Sequence, residues 1–257
     1  MPRRIYTALE LPRVVGEMGA LLAATPWLRT RPTGDGQPVV CLPGFSAGDN
    51  TTAILRAFLR HWGYDAHPWG LGQNISPSEV SEYSDVKKQR DLLLDQLALQ
   101  LKVLVEETGS KVSLIGWSLG GIMARLFASQ HPDLVRQVIT LGTPFGDPRA
   151  VVVYQLMERR RHRPMTDSDF DDWIEMCNAP IGDIPLSIIY SRSDGFVSPY
   201  IATKLETTTV ENIHIRSSHI GFTVNPRVLS VVADRLSQPT DNWVPFARQG
   251  LRELVYQ

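Results

Sequence analysis

Residues 111–128 read KVSLIGWSLGGIMARLFA, and this stretch decides the fold. An apolar run typical of a buried strand leads into the pentapeptide GWSLG at 116–120, and a second apolar run with helical spacing follows. A strand reverses into a helix this sharply only if its central residue takes a strained backbone angle, and flanking residues larger than glycine would clash. The stretch therefore predicts a strand, a tight turn that presents the Ser118 hydroxyl, and a helix.

Strand and helix patterns alternate on both sides of this turn. The predicted strands are 38–45, 64–69, 111–117, 135–142, 184–191 and 212–217. The predicted helices are 51–61, 84–108, 120–130 and 228–236. Strands that alternate with helices form parallel sheets through right-handed crossovers, so the fold class is predicted to be α/β.

The composition is typical of a globular protein that buries a sizeable core. The 257 residues are 43% hydrophobic and 21% charged, which favours one domain over residues 1–257. The formal net charge is −1, from 26 basic and 27 acidic side chains, so no overall positive field favours nucleic acid. The two cysteines, Cys41 and Cys177, lack metal-ligand spacing. We expect small or uncharged ligands and no nucleic-acid partner.

The first segment predicts a helix over residues 9–24, with Val14, Met18, Leu21 and Leu22 on one face and Pro26 as its limit. Packing of this face on the core is the favoured interpretation. Weak association with a membrane surface is the alternative, although such helices usually carry more Lys and Arg. No signal peptide is recognised and no apolar stretch approaches the ~18 residues of a membrane span. The predicted location is cytoplasmic, with the membrane periphery as the alternative.

A serine nucleophile at neutral pH needs a base, and the base needs an orienting acid. Asp194 follows the strand 184–191, and His219 follows the strand 212–217. Both come where strands end, at the sheet edge that carries the sites of open α/β folds. Asp183 precedes its strand and would lie at the other edge. The five remaining histidines, at positions 61, 67, 131, 162 and 214, are placed less well.

The oxyanion formed on nucleophilic attack needs hydrogen-bond donors. The backbone N–H of Leu119, directly after the nucleophile, is one candidate. The loop after the first sheet strand reads LPGFSAG, and Gly44 allows it to turn so that Phe45 presents the second N–H. A plain strand-to-helix turn is the alternative interpretation of the Pro-Gly pair.

The motifs LPGF, GWSLGG, LGTPFGD, SRSDGFV and SSHIGFTVNP together resemble the α/β-hydrolase superfamily, in particular bacterial esterases and triacylglycerol-lipase-like members. The resemblance extends from about Pro38 to Leu236. One departure is Pro43-Gly44, where that branch often has His-Gly. The resemblance implies carboxylic ester hydrolysis through an acyl-enzyme, with Ser118, Asp194 and His219 as the triad, and with no metal or organic cofactor.

The resemblance also implies a sheet of about six strands and a short helical lid formed by residues 146–183. Six apolar side chains of this insert could face an acyl chain or simply pack the lid on the body: Val151, Val152, Tyr154, Leu156, Phe170 and Trp173. The substrate would be a small-molecule or lipid ester. Acyl transfer to an alcohol or thiol on the same triad, and a non-catalytic binding module on this fold, are the alternatives. The oligomeric state is not predicted.

Overall fold

A six-stranded parallel sheet forms the centre of the molecule and confirms the predicted α/β class. The computed structural model of the 257-residue chain describes residues 1–31, 34–159, 163–239 and 242–247. The strands are β1 Pro38–Leu42, β2 Asp65–Pro68, β3 Val112–Trp117, β4 Val135–Leu141, β5 Leu186–Tyr190 and β6 Val210–His214. Their spatial order is β2-β1-β3-β4-β5-β6, and every neighbouring pair is parallel. The carboxyl ends of all six strands therefore meet at one edge.

Helices cover both faces of this sheet, which is why its strands are apolar on both sides. The helices are α1 Arg4–Ala8, α2 Glu10–Leu28, α3 Ala53–His61, α4 Tyr83–Thr108, α5 Leu119–Gln130, α6 Val152–Glu158, α7 Asp167–Asn178 and α8 Pro226–Leu236. In β1, Val39 and Cys41 pack with α3 and α8 on one face, whereas Val40 and Leu42 pack with α4 and α5 on the other. This alternation gives two apolar cores, one on each side of the sheet.

The N-terminal helix is longer than predicted and turns a different face to the body. Pro26 lies inside α2 and does not limit it. The last turn persists because Leu28 is fully buried and its carbonyl accepts the indole N–H of Trp62 at 2.8 Å. Of the four residues predicted to share the docking face, Leu21 is buried, but Met18 and Leu22 are 45% and 77% exposed.

The insert after β4 contains two helices over the carboxyl edge of the sheet. Residues 160–162 of the predicted insert 146–183 lie outside the described residues. The second helix, α7, is held by its Trp173 indole, which donates to the Gly146 carbonyl at 2.9 Å. It is also held by Asp172, whose carboxylate binds Tyr83 Oη at 2.9 Å and Lys87 Nζ at 2.7 Å on α4.

Candidate active site

Ser118 stands at the sharp junction between β3 and α5. Its backbone has φ 54° and ψ −121°, which is strained for any residue with a side chain. A Cβ on Gly116 would overlap the Gly120 carbonyl, and a Cβ on Gly120 would overlap the carbonyls of Leu42 and Pro43. Neither glycine has a positive φ. The two glycines are therefore required by the close approach of backbone segments, while the strain falls on the serine itself.

The structure brings Ser118, His219 and Asp194 into one hydrogen-bonded chain. His219 Nε2 lies 3.0 Å from Ser118 Oγ, and His219 Nδ1 lies 2.7 Å from Asp194 Oδ2. The other Asp194 oxygen accepts the backbone N–H groups of Phe196 and Val197 at 2.7 and 2.8 Å. Asp183, the alternative to Asp194 in the sequence, precedes β5 and lies away from Ser118. It lines an open groove of about 880 Å³ together with Lys111.

The electrostatic surroundings of His219 favour its protonated form. Burial of the imidazole lowers its pKa, but the adjacent Asp194 charge and hydrogen bond, and the nearby Glu10 charge, outweigh burial. The net result is a pKa above the ordinary value of 6.5. A base of this kind accepts a proton from a hydroxyl and is stabilised by Asp194 once charged.

The two predicted oxyanion donors lie beside Ser118. Phe45 and Leu119 both line the pocket that contains Ser118 and His219. Among the described residues, neither backbone N–H has a protein acceptor. A Cβ on Gly44 would lie 3.2 Å from Ser118 Cβ, so glycine at this position allows the Phe45 loop to approach Ser118 closely. The two free amides are thus available to a negatively charged oxygen.

Asn74, which no sequence pattern predicted to be functional, fixes the Phe45 loop. Its side-chain amide donates to the Pro43 carbonyl at 2.7 Å, and its backbone carbonyl accepts the Ser46 N–H at 2.7 Å. Its own N–H donates to Ala47 at 2.9 Å, and the residue is fully buried. Asn74 lies in the segment GLGQNISP at 70–77, where no sequence pattern distinguishes it from its neighbours.

An apolar pocket of about 90 Å³ opens onto Ser118 beneath the insert. Three of the six apolar insert residues line it, namely Val151, Tyr154 and Trp173, whereas Val152, Leu156 and Phe170 do not. Further lining residues on α4 and the insert were not predicted from the sequence: Tyr83, Val86, Val153, Met157 and Met165. Pockets that bind small organic ligands usually measure ~300–1,000 Å³. The pocket is therefore nearly closed in this conformation.

Two carboxylates of α2 contact the loops that carry Asp194 and His219. Glu10 accepts backbone N–H groups from both loops, and Glu17 accepts from the two serines before His219. Their spacing of seven residues puts them on one helical face, and that spacing was readable in the sequence. Hydrophobic periodicity alone did not assign that face. No three His, Cys, Asp or Glu side chains within the described ranges are grouped so as to hold a metal ion.

The sequence profile of the alpha/beta hydrolase fold family matches residues 37–171. The bifunctional biotin biosynthesis protein BioHC of Teredinibacter turnerae is 32% identical over 34% of this chain and 16% of its own length. A triacylglycerol lipase of Burkholderia plantarii is 26% identical over 55% of this chain and 39% of its own. The chain thus spans less than half the length of these curated relatives. A soluble variant of the monoglyceride lipase of Saccharomyces cerevisiae superposes with a TM-score of 0.56 at 14% identity, covering 80% of this chain and 89% of the lipase.

Proposed function

The chain belongs to the alpha/beta hydrolase fold family, and from that premise we propose that it hydrolyses carboxylic esters through a serine acyl-enzyme. The hydrogen-bonded chain from Ser118 through His219 to Asp194, at the foot of an apolar pocket, is the observation that carries the proposal. Lipase names among the relatives and structural neighbours support the same class of reaction.

In the first half of the reaction, Ser118 Oγ attacks the ester carbonyl carbon while His219 Nε2, 3.0 Å away, takes the hydroxyl proton. Asp194 stabilises the imidazolium that forms. The carbonyl oxygen becomes an oxyanion and accepts the N–H groups of Phe45 and Leu119. Collapse of this intermediate breaks the ester C–O bond, and His219 gives its proton to the departing alkoxide oxygen, which leaves as the alcohol.

In the second half, water replaces the alcohol next to His219. The histidine takes a proton from this water, and the resulting nucleophile attacks the acyl carbon. The same two amides hold the second oxyanion. Ser118 Oγ then leaves with the proton from His219, so the acid is released and the enzyme returns to its starting state. Asp194 keeps the imidazole oriented because its second oxygen is itself fixed by the N–H groups of Phe196 and Val197.

The substrate class follows from the pocket. Its lining is largely aliphatic, thioether and aromatic, with side chains such as Val86, Met157, Met165 and Trp173, which suits the acyl chain of an uncharged ester. Because the cavity is only about 90 Å³, longer chains require displacement of the insert. We propose that residues 146–183 act as this lid.

Reaction with a fluorophosphonate probe tests the proposal directly. The folded wild type is expected to be labelled at Ser118, and Ser118→Ala is expected to lose labelling and at least about 10⁴-fold in kcat/KM. Ser129→Ala, at the far end of α5, is the matched control and should behave as wild type. A folded wild type that the probe does not label would instead support a non-catalytic binding module.

Acyl transfer on the same triad is the second candidate. The pocket above Ser118 is largely apolar, which suits an alcohol or thiol as the acceptor, and exclusion of bulk water favours such nucleophiles. Incubation of a nitrophenyl ester with an added alcohol distinguishes the two. Free acid as the main product supports hydrolysis, and excess transfer product supports an acyltransferase. A series of nitrophenyl ester chain lengths, with emulsified triglyceride as the last member, then separates an esterase from a lipase.

A further inference from the structure

The exposed surface of α2 is apolar along its whole length. Every α2 residue classed as exposed is apolar or glycine, and Leu11, Val15 and Leu22 are 71%, 69% and 77% exposed. Together with Met18 they recur at intervals of four, three and four residues, so they form one stripe. We call Leu11, Val15, Met18 and Leu22 the outer apolar face.

The exposed charged residues that adjoin α1 and α2 in the sequence have one sign. The acidic residues in the first 31 positions are Glu10 and Glu17, and both are directed inward to the body of the molecule. Exposed arginines flank the face at both ends, with Arg3 and Arg4 before it and Arg29 after it. An apolar surface bordered by cations complements the anionic interface of a phospholipid membrane.

A second copy of the chain fits this charge pattern poorly. Two copies packed through the same face about a two-fold axis would run their helices antiparallel or parallel, depending on the direction of the axis. Arg3 and Arg4 of one copy would then meet either Arg29 or the same two arginines of the other, and like charges would oppose each other in both arrangements. None of the helices in the described part of the chain has the length and apolar character needed to cross a bilayer.

We propose that the outer apolar face docks on the surface of an anionic phospholipid membrane. The helix would lie in the interface, with its leucines and valine among the acyl chains and its flanking arginines at the headgroups. This goes beyond ester hydrolysis, because it concerns binding and requires no turnover.

Co-sedimentation with phosphatidylglycerol–phosphatidylcholine vesicles tests the docking. Wild type is expected to bind, and the variant with Leu11→Ser, Val15→Ser and Leu22→Ser to lose at least about tenfold in partition coefficient. The matched control replaces three exposed apolar residues of α4, Leu92, Leu99 and Val103, with serine and should bind as wild type. Vesicles of phosphatidylcholine alone should bind wild type more weakly.

Two results would overturn the docking proposal. One is a wild type that does not sediment with the anionic vesicles. The other is a dimer in light scattering that the α2 variant converts to monomer, since the face would then be covered by a second copy. Turnover of a soluble short-chain ester is measured in parallel, so that loss of docking is separated from loss of catalysis.

The inner side of α2 supports a second, independent inference. Glu10 Oε1 accepts the backbone N–H of Gly195 at 2.8 Å and that of His219 at 2.9 Å, and its other oxygen accepts the N–H of Ile220 at 3.2 Å. The Glu10 side chain is buried, and Arg13 Nη1 lies 3.8 Å from Glu10 Oε1. One carboxylate therefore bridges the residue after Asp194 and the histidine itself.

Glu17 binds the same histidine loop two helical turns further on. It accepts the Ser218 N–H at 2.7 Å, the Ser217 hydroxyl at 3.2 Å and the hydroxyl of Ser218. Glycines make room for both carboxylates. A Cβ on Gly195 would lie 2.6 Å from Glu10 Oε1, and one on Gly221 would overlap Glu17 Oε2. Gly195, directly after Asp194, and Gly221, two residues after His219, thus leave room for the two carboxylates of α2.

We infer that Glu10 and Glu17 are positioning residues that hold the Asp194 and His219 loops at the separation the triad requires. This inference rests on the proposed function. A free loop samples many backbone states, and charge-assisted hydrogen bonds to its N–H groups select one of them. Arg13 supports the same arrangement, since its guanidinium donates to the hydroxyl of Ser193 at 2.9 Å.

Glu10→Gln tests this role with little change in shape. We expect kcat to fall about tenfold with KM nearly unchanged, because the variant loses one acceptor and the charge that strengthens its bonds. The acid limb of the kcat/KM profile should also move to lower pH. Asp194 and Glu10 are the charges that raise the pKa of His219, whereas Glu17 contacts the two serines before it and Arg13 contacts Ser193, next to Asp194.

Glu211→Gln is the matched control. Glu211 is 5% exposed and accepts from Ser187, Arg235 and the Phe246 N–H, so its loss removes a similar buried network. It should lower the unfolding temperature without moving the acid limb. An acid limb that is the same in Glu10→Gln and wild type overturns the inference. Failure of the proposed function is distinguishable, since wild type itself would then resist the fluorophosphonate.

Discussion

The indole Nε1 of Trp117 donates a hydrogen bond to the backbone carbonyl of His219 at 3.0 Å. The two rings are also neighbours, with centroids 5.8 Å apart. The residue immediately before the proposed nucleophile is thereby attached to the proposed general base. This contact restrains the position of the histidine loop relative to β3, in addition to the contacts that the loop makes with Ser118 and with α2.

Trp117→Phe is predicted to lower kcat/KM about fivefold, because a hydrogen bond of this kind contributes about 1 kcal/mol and its loss frees the His219 loop. Steady-state kinetics with a soluble nitrophenyl ester measure it. Trp62→Phe is the control, since it removes an equivalent indole-to-carbonyl bond, to Leu28 at 2.8 Å, far from the site. That variant should lose stability and keep its kinetics. Equal kinetic effects in the two variants would contradict the prediction.

The activity of the enzyme is predicted to fall on the acid side at a pH above 6.5. Burial lowers the pKa of His219, but Asp194 and Glu10 raise it by a larger amount, so the net shift is upward. Catalysis requires the neutral imidazole, so kcat/KM declines as pH drops through this raised value. The contribution of His219 to folding stability changes in the opposite direction with pH. This contribution is fully present below about pH 6.5, the pKa of the unfolded state, and is lost as pH rises through the folded-state pKa. A pH–rate profile with an acid limb below 6.5 would count against this.

The lid is predicted to open more readily when the tether to α4 is cut. Lys87 Nζ lies 2.7 Å from Asp172, and half-exposed pairs of this type contribute about 0.2–1 kcal/mol. Lys87→Met should therefore raise kcat/KM for long-chain esters by up to about fivefold relative to short ones. Lys88→Met, the next residue, removes a more exposed pair with Asp85 at 3.9 Å and serves as the control. A chain-length profile identical to wild type would refute the tether.

The sheet was predictable because burial on both faces and helical periodicity are local signals. The edge positions of Ser118, Asp194 and His219 followed from where their strands end. The orientation of α2 was not predictable from apolar periodicity, since hydrogen bonds from Glu10 and Glu17 to backbone N–H groups distant in sequence select its inner face. Asn74 was missed for the same reason, because its partners belong to another loop.

The strained backbone at Ser118 gives the last prediction. At φ 54° and ψ −121° a side chain costs about 1–3 kcal/mol, which glycine avoids. Glycine also costs about 0.5–1 kcal/mol because the unfolded chain gains freedom. Ser118→Gly should therefore be more stable than Ser118→Ala by up to about 2 kcal/mol, although both lack the nucleophile. Urea unfolding of the two inactive variants isolates this difference, because both have lost the hydroxyl.

The control for this comparison is an alanine-to-glycine pair at a relaxed position. Ser129 lies near the end of α5 within regular helix, so Ser129→Gly should be less stable than Ser129→Ala by about 1 kcal/mol. Opposite signs at the two serines would identify the turn at Ser118 as a site where folding energy is stored to expose the hydroxyl. The same sign at both would mean that the backbone strain at Ser118 costs less than the ~0.5–1 kcal/mol by which glycine stabilises the unfolded chain.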